Sequence, residues 1–150
     1  MALERFALAG KVVIVTGGGR GLGKAMATAL AEAGADVCLA ARTRGQLEDA
    51  AEEIREIAGK EALIVRTDIT DSAQCNNLID RTVEHFGRLD ILFNNAGGGG
   101  PRAVSSNILD WTDEDWRASL EVNLSGTFYC SRAAAKVLVE QHQGGAIINV

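Results

Sequence analysis

The residues best suited to chemistry lie in a glycine-rich turn, Thr16-Gly17-x-x-x-Gly21-x-Gly23, which follows the apolar run Val12-Val13-Ile14-Val15 and opens an alanine-rich stretch. Glycine lets backbone approach another group closely, and a helix starting there offers free N–H groups and about half a positive charge. Such a turn can cradle a phosphate or pyrophosphate. The stricter Gly-x-Gly-x-x-Gly pattern is not met, because Gly17-x-Gly19 is followed by Leu22. Strand-to-helix glycine turns also serve purely structural ends, so the turn alone leaves both readings open. Arg20 and Arg42 are either solvated surface groups or two cations whose guanidinium planes suit phosphate oxygens. Asp68, in Asp68-Ile69-Thr70-Asp71, could initiate a helix. Asn94 and Asn95 could bond their own backbone in a turn. Asn123 lies close to an otherwise apolar stripe, where a side-chain amide must find partners.

The elements that must position these groups alternate in type. Short β-rich runs at 11–16, 36–41, 62–66, 90–93 and 146–150 read as strands, nearly continuous in apolar residues. Between them lie helical periodicities. The first, after Gly21, places Leu22, Ala25, Met26, Ala29, Leu30 and Ala33 on one face and stops at Gly34. A second spans 46–58 with apolar Leu47, Ala50, Ala51, Ile54 and Ile57, and a third spans 71–86 and ends at Gly87. Thr112 with Asp115 forms a capping-box pattern for a fourth, continuing to about Gln141. Its apolar residues occupy more than one face, with Trp116, Leu120, Leu124 and Phe128 on one side and Val122, Tyr129, Ala133 and Val137 around it. A helix apolar on two sides has two neighbours, here the sheet plus either another subunit or a helix beyond the end of the chain. Strands each followed by a crossover imply an α/β fold with a doubly wound parallel sheet, covered on both faces, and a ligand crevice beyond the carboxyl ends of the strands.

Composition narrows the function. The 150 residues, 47% apolar and 23% charged, suit one globular domain over 1–150. The net charge of −5 is spread along the chain, with no basic face for nucleic acid or anionic lipid. Apolar runs are too short to span a bilayer, and Glu4 and Arg5 interrupt any signal-peptide pattern, so a cytoplasmic location is expected. Cys38, Cys75 and Cys130 show neither a disulfide framework nor zinc-ligand spacing and read as small buried hydrophobes. His85 and His142 are isolated, so no metal site is expected.

Taken in order, Thr16-Gly17-x-x-x-Gly21-x-Gly23, Asp68, Asn94-Asn95-Ala96-Gly97 and Asn123 resemble the classical branch of the short-chain dehydrogenase/reductase family, over the entire chain. The extended branch would want glycine where Arg20 stands. The resemblance implies a Rossmann-type NAD(P)-binding domain that stops in or just after its fifth strand. It implies nucleotide contacts from Thr16, Gly17, Gly19, Arg20, Gly21, Leu22, Gly23, Arg42, Asp68, Ile69, Asn94, Ala96 and Gly97, with Asp68 accepting from the adenine amino group. It makes Asn123 the member of the catalytic set that orders a proton-relay water. NAD-binding relatives place an acid after the second strand to hold the ribose 2′-hydroxyl, whereas this chain has Ala41 followed by Arg42, so NADP(H) is favoured over NAD(H). The implied reaction is hydride transfer between nicotinamide and a ketone or secondary alcohol, 3-oxoacyl thioesters included, by a homo-oligomeric parent enzyme. The family's serine and Tyr-x-x-x-Lys set is not matched: Tyr129 has Ala133 four residues on, and Lys136 is out of register. The chain by itself is therefore expected to be inactive in hydride transfer, with an exposed edge of Ile147, Ile148 and Val150. The alternative is a non-catalytic NADP-binding module for sensing or assembly.

Overall fold

The computed structural model describes residues 6–98 and 107–150. Its centre is a parallel sheet of β1 (Val12–Thr16), β2 (Asp36–Ala41), β3 (Leu63–Arg66), β4 (Ile91–Asn94) and β5 (Ala146–Asn149), in the order β3-β2-β1-β4-β5. The central strands β1 and β2 are almost wholly apolar and buried because both of their faces are covered. Val13, Val15, Val37 and Leu39 point to one face and meet α1 (Gly21–Glu32) and α2 (Arg44–Ala58). Ile14, Cys38, Ala40 and Leu92 point to the other and meet α3 (Ser72–Phe86) and the helix that follows β4. The chain leaves β1 toward β2 and β3, then returns to lay β4 on the other side of β1. That reversal makes the β1/β4 boundary the topological switch point, where adjacent loops part and leave a crevice. The fold is the doubly wound, Rossmann-type arrangement expected.

Register across the switch point is pinned from the far end of the strands. Asp90, just before β4, accepts from the Val12 amide at 3.0 Å, from Arg88 Nη2 at 2.6 Å and from Lys11 Nζ at 3.1 Å. Burial pushes this carboxyl up, but the Arg88 guanidinium, the Val12 amide and the Lys11 ammonium together hold it below the ordinary carboxylate range. The clamp aligns Val13 with Ile91 and Val15 with Phe93, so both strands deliver their carboxyl ends to the same level.

Two sequence expectations need correction. In α1 the face against the sheet is Gly23, Ala27, Thr28 and Ala31, while Leu22 is 62% exposed and Met26, Ala29, Leu30 and Ala33 turn sideways into an apolar groove with Phe6, Leu8 and Phe93. Small residues face inward because this helix starts on the glycine turn and must run close to the strands. In α2, Leu47, Ala50 and Ile54 are buried as expected, but Ile57 near its end is largely exposed. The third helix follows expectation, with Cys75, Leu78, Ile79 and Thr82 buried; its cap is Asp71, whose Oδ1 accepts from Ala73 and Gln74 amides.

The long fourth helical stretch begins at Thr112 with the full capping box expected. It is not uniform. Helix α4 (Asp113–Leu120) passes into a π-helical segment (Glu121–Gly126) and then α5 (Thr127–Glu140). Val122, Tyr129, Ala133 and Val137 pack toward the sheet, whereas Trp116, Leu124 and Phe128 stay more than half exposed. Ile147, Ile148 and Val150 at β5 are also exposed.

Candidate functional site

A cleft of about 420 Å³ opens at the carboxyl ends of β1, β2, β3 and β4. Its floor is the turn between β1 and α1. Gly17 has φ +67°, in the left-handed region that favours glycine, and turns the chain back over the end of β4. Gly23, in the first turn of α1, lies so close beneath it that a Cβ would come within 2.2 Å of the Gly17 carbonyl oxygen and 2.5 Å of Asn95 Nδ2. A side chain there would force the helix N-terminus away from the turn. The absence of one leaves the first N–H groups of α1 facing open space in the cleft.

Thr16 and the asparagine pair hold this floor in place from behind. The buried Thr16 hydroxyl accepts from the amides of Asn95 (3.1 Å) and Ala96 (3.0 Å) and donates to the Phe93 carbonyl (3.3 Å). Asn95 Nδ2 donates to the Thr16 carbonyl at 3.0 Å. Asn94 points the other way, into the sheet, where Nδ2 bonds Ser131 Oγ and Asn149 Oδ1 at 2.9 Å each. Of the residues singled out from sequence, Gly17, Gly19, Arg20, Gly21, Leu22, Gly23, Arg42, Asp68, Ile69, Ala96 and Gly97 line the cleft, whereas Thr16, Asn94 and Asn123 do not. Sequence reasoning chose Asn94, but Asn95 is the asparagine that borders the cleft, and the alternation of neighbouring residues at a strand end was the available signal. Thr43, Gln46 and Val122 also line it and carry no sequence signal, since they reach it only through folding.

At one lip, Arg20 and Arg42 are both exposed, and among the described residues neither guanidinium has an acidic partner. The Arg42 carbonyl accepts from Arg66 Nε at 3.0 Å, which ties the end of β2 to β3. Along the adjoining wall, Asp68 Oδ1 accepts from the Thr70 amide (3.0 Å) and hydroxyl (2.8 Å), a local turn that fixes the carboxylate beside Ile69. The reading of Asp68 as helix initiator yields to Asp71, which does that work.

Asn123 sits in the π segment. Its Nδ2 donates to the carbonyls of Gly98 and Ser119, both at 2.8 Å, and its Oδ1 accepts from the Gly98 amide at 3.0 Å. Its carbonyl accepts from the Thr127 hydroxyl at 3.0 Å. The amide therefore clasps the loop after β4, and the widened π turn is what brings it there. Tyr129 lies on α5 outside the cleft, with its hydroxyl 3.4 Å from Glu121 Oε1.

Comparison with known proteins agrees with this geometry. A family profile described as short chain dehydrogenase matches residues 11–150. An uncharacterized oxidoreductase of Mycobacterium tuberculosis is 39% identical over 150 residues, covering 100% of this chain and 55% of the relative. The crystal structure of a short-chain type dehydrogenase/reductase from Mycobacterium marinum superposes with a TM-score of 0.92 at 36% identity, covering 99% of this chain and 58% of that one. A 7α-hydroxysteroid dehydrogenase solved with NADH and 7-oxo glycochenodeoxycholic acid superposes with a TM-score of 0.88 at 34% identity, covering 98% and 55%. The chain thus spans a little over half the length of the relatives it matches, and over that span it belongs to the short-chain dehydrogenase family.

Proposed function

We propose that this chain is the nucleotide-holding part of an NADP(H)-dependent oxidoreductase acting on a ketone or secondary alcohol. The observation that carries the reading is the floor of the cleft: at Gly23 a Cβ would fill the space beneath Gly17, and its absence leaves helix N–H groups and small backbone where a pyrophosphate would lie. Ile69 offers an apolar wall for a base and Asp68 an acceptor for its amino group. Ala96 and Gly97 run along the ribose on the nicotinamide side. When bound, the nicotinamide supplies the hydride donor or acceptor.

Asn123 is the positioning residue of this scheme. Both protons of its amide are spent on Gly98 and Ser119, which fixes the rotamer and leaves one lone pair of Oδ1 free to accept from a relay water. The parent enzyme is proposed to be a cytoplasmic homo-oligomer, with the exposed stripe of Trp116, Leu124 and Phe128 as a subunit contact.

The preference for NADP rests on Arg42, with Arg20 assisting, because the 2′-phosphate would meet two guanidinium groups that have no acidic partner among the described residues, and no acid at Ala41. A hydrogen bond to a charged group contributes about 1.5–3 kcal/mol. Arg42→Ala should therefore weaken NADP binding roughly ten- to a hundredfold and leave NAD nearly unchanged. Calorimetric titration with both nucleotides decides; equal losses for the two would make Arg42 a bystander and remove the main support for NADP.

A further inference from the structure

Cys75 on α3 and Cys130 on α5 stand 55 positions apart in sequence, yet their sulfurs are 3.4 Å apart. Both are fully buried in the core cluster between these helices, beside the small side chains of Ala133 and Ala134. The pair lies directly behind the cleft wall. The Cys75 thiol also donates to the Ile69 carbonyl at 3.3 Å, and the Ile69 side chain packs on Gly126 of the π segment, where a Cβ would come within 2.7 Å of it. The remaining thiol behaves differently. Burial pushes Cys38 up to about 12, despite its hydrogen bond with Thr82, and among the described residues it makes no hydrogen bond to another sulfur. The hydrogen bond donated by Cys130 to the Cys75 sulfur instead holds Cys75 below the ordinary thiol value against the effect of burial.

We propose that Cys75 and Cys130 form a redox-sensitive dithiol, closed to a disulfide by a small peroxide, that staples α3 to α5 behind the nucleotide cleft. In the first step the Cys75 sulfur takes one hydroxyl from hydrogen peroxide, the O–O bond breaks, and the released hydroxide leaves as water with the Cys75 proton. In the second, the Cys130 sulfur attacks the sulfenic sulfur, the S–S bond forms, the S–O bond breaks, and the hydroxyl leaves as water with the Cys130 proton. Two thiols lose two electrons and two protons to one peroxide. Access requires local opening of the α3–α5 pair, so the reaction is slow beside that of an exposed thiol. Closure removes the hydrogen bond to the Ile69 carbonyl and shortens the sulfur separation, so the wall carrying Asp68 and Ile69 adjusts with it. This inference does not depend on the NADP reading.

The test is to treat the folded, reduced protein with hydrogen peroxide, quench free thiols under denaturing conditions and map the peptides by mass spectrometry. The expected product is a peptide pair joining Cys75 to Cys130, lighter by two hydrogen atoms and separated by dithiothreitol. The oxidised protein should melt roughly 5–10 °C higher, since the bond closes a long loop of the unfolded chain. C38S should retain both effects, whereas C75S and C130S should lose them. Failure of the wild-type chain to form the pair, separate sulfinic acids on the two residues, or a bond involving Cys38 would each overturn the proposal.

Discussion

Replacing Gly23 with alanine separates two effects that oppose each other. Gly23 lies within α1, where alanine ordinarily stabilises a helix by up to about 1 kcal/mol relative to glycine. Here the added methyl would sit 2.2 Å from the Gly17 carbonyl oxygen and 2.5 Å from Asn95 Nδ2, well short of the 3.4 Å at which ordinary contact begins. Neither neighbour can yield cheaply. One is backbone at the tightest point of the turn; the other is an amide already bonded to the Thr16 carbonyl. Overpacking of this kind costs about 1–3 kcal/mol, and loss of the Asn95 hydrogen bond adds about 1. The clash outweighs the propensity gain, for a net loss of roughly 1–3 kcal/mol and a melting temperature lower by roughly 3–10 °C. Nucleotide affinity should fall at least tenfold as the N-terminus of α1 is pushed from the turn. Gly45→Ala is the internal control: near the start of α2 it has no neighbour within 4 Å of a Cβ, so the protein should gain about 0.5–1 kcal/mol and bind as before. Thermal melts and nucleotide titration of both variants suffice. A Gly23→Ala protein that melts at or above the wild type and binds nucleotide normally would refute the close-approach argument.

Other perturbations probe the supports of the site. Because Asp90 is held below the ordinary carboxylate range when folded, its contribution to stability is present above the unfolded pKa near 4 and is lost as pH falls through the lower folded value. Asp90→Asn should cost about 2 kcal/mol near neutrality, with Lys11, half exposed, contributing least, and should flatten the acid limb of the stability profile; an unchanged acid limb in urea titrations would contradict this. Thr16→Val keeps the shape but deprives the Asn95 and Ala96 amides of their acceptor, for an expected loss of roughly 2–3 kcal/mol that Thr16→Ser should not show; equal urea midpoints for the two variants would argue against it. Adding Ala41→Asp to Arg42→Ala should supply an acceptor for a ribose hydroxyl while repelling a 2′-phosphate, reversing the order of NADP and NAD affinities in calorimetry; retained NADP preference would place the specificity elsewhere.

Much of this was legible along the chain. Five apolar runs separated by helical periods sufficed for a parallel sheet, and the strand before the glycine turn could only be buried. Thr112 and Asp115 announced their capping box because both partners lie within one turn, and the glycine turn proposed to cradle a phosphate was visible because its glycines are close in sequence. Local physics is written locally. What folding alone decided depends on distance across the sheet. The inward face of α1 went to Gly23, Ala27 and Ala31 rather than to the larger Met26 and Leu30, because the glycine turn draws that helix too close to the strands for bulk. Strand direction chose Asn95 for the cleft and Asn94 for the sheet. The π turn carried Asn123 to Gly98, and helix packing brought Cys75 against Cys130, neither of which any periodicity reports. Spacing along a chain fixes which face of its own element a residue occupies; only the packing of elements fixes what that face meets.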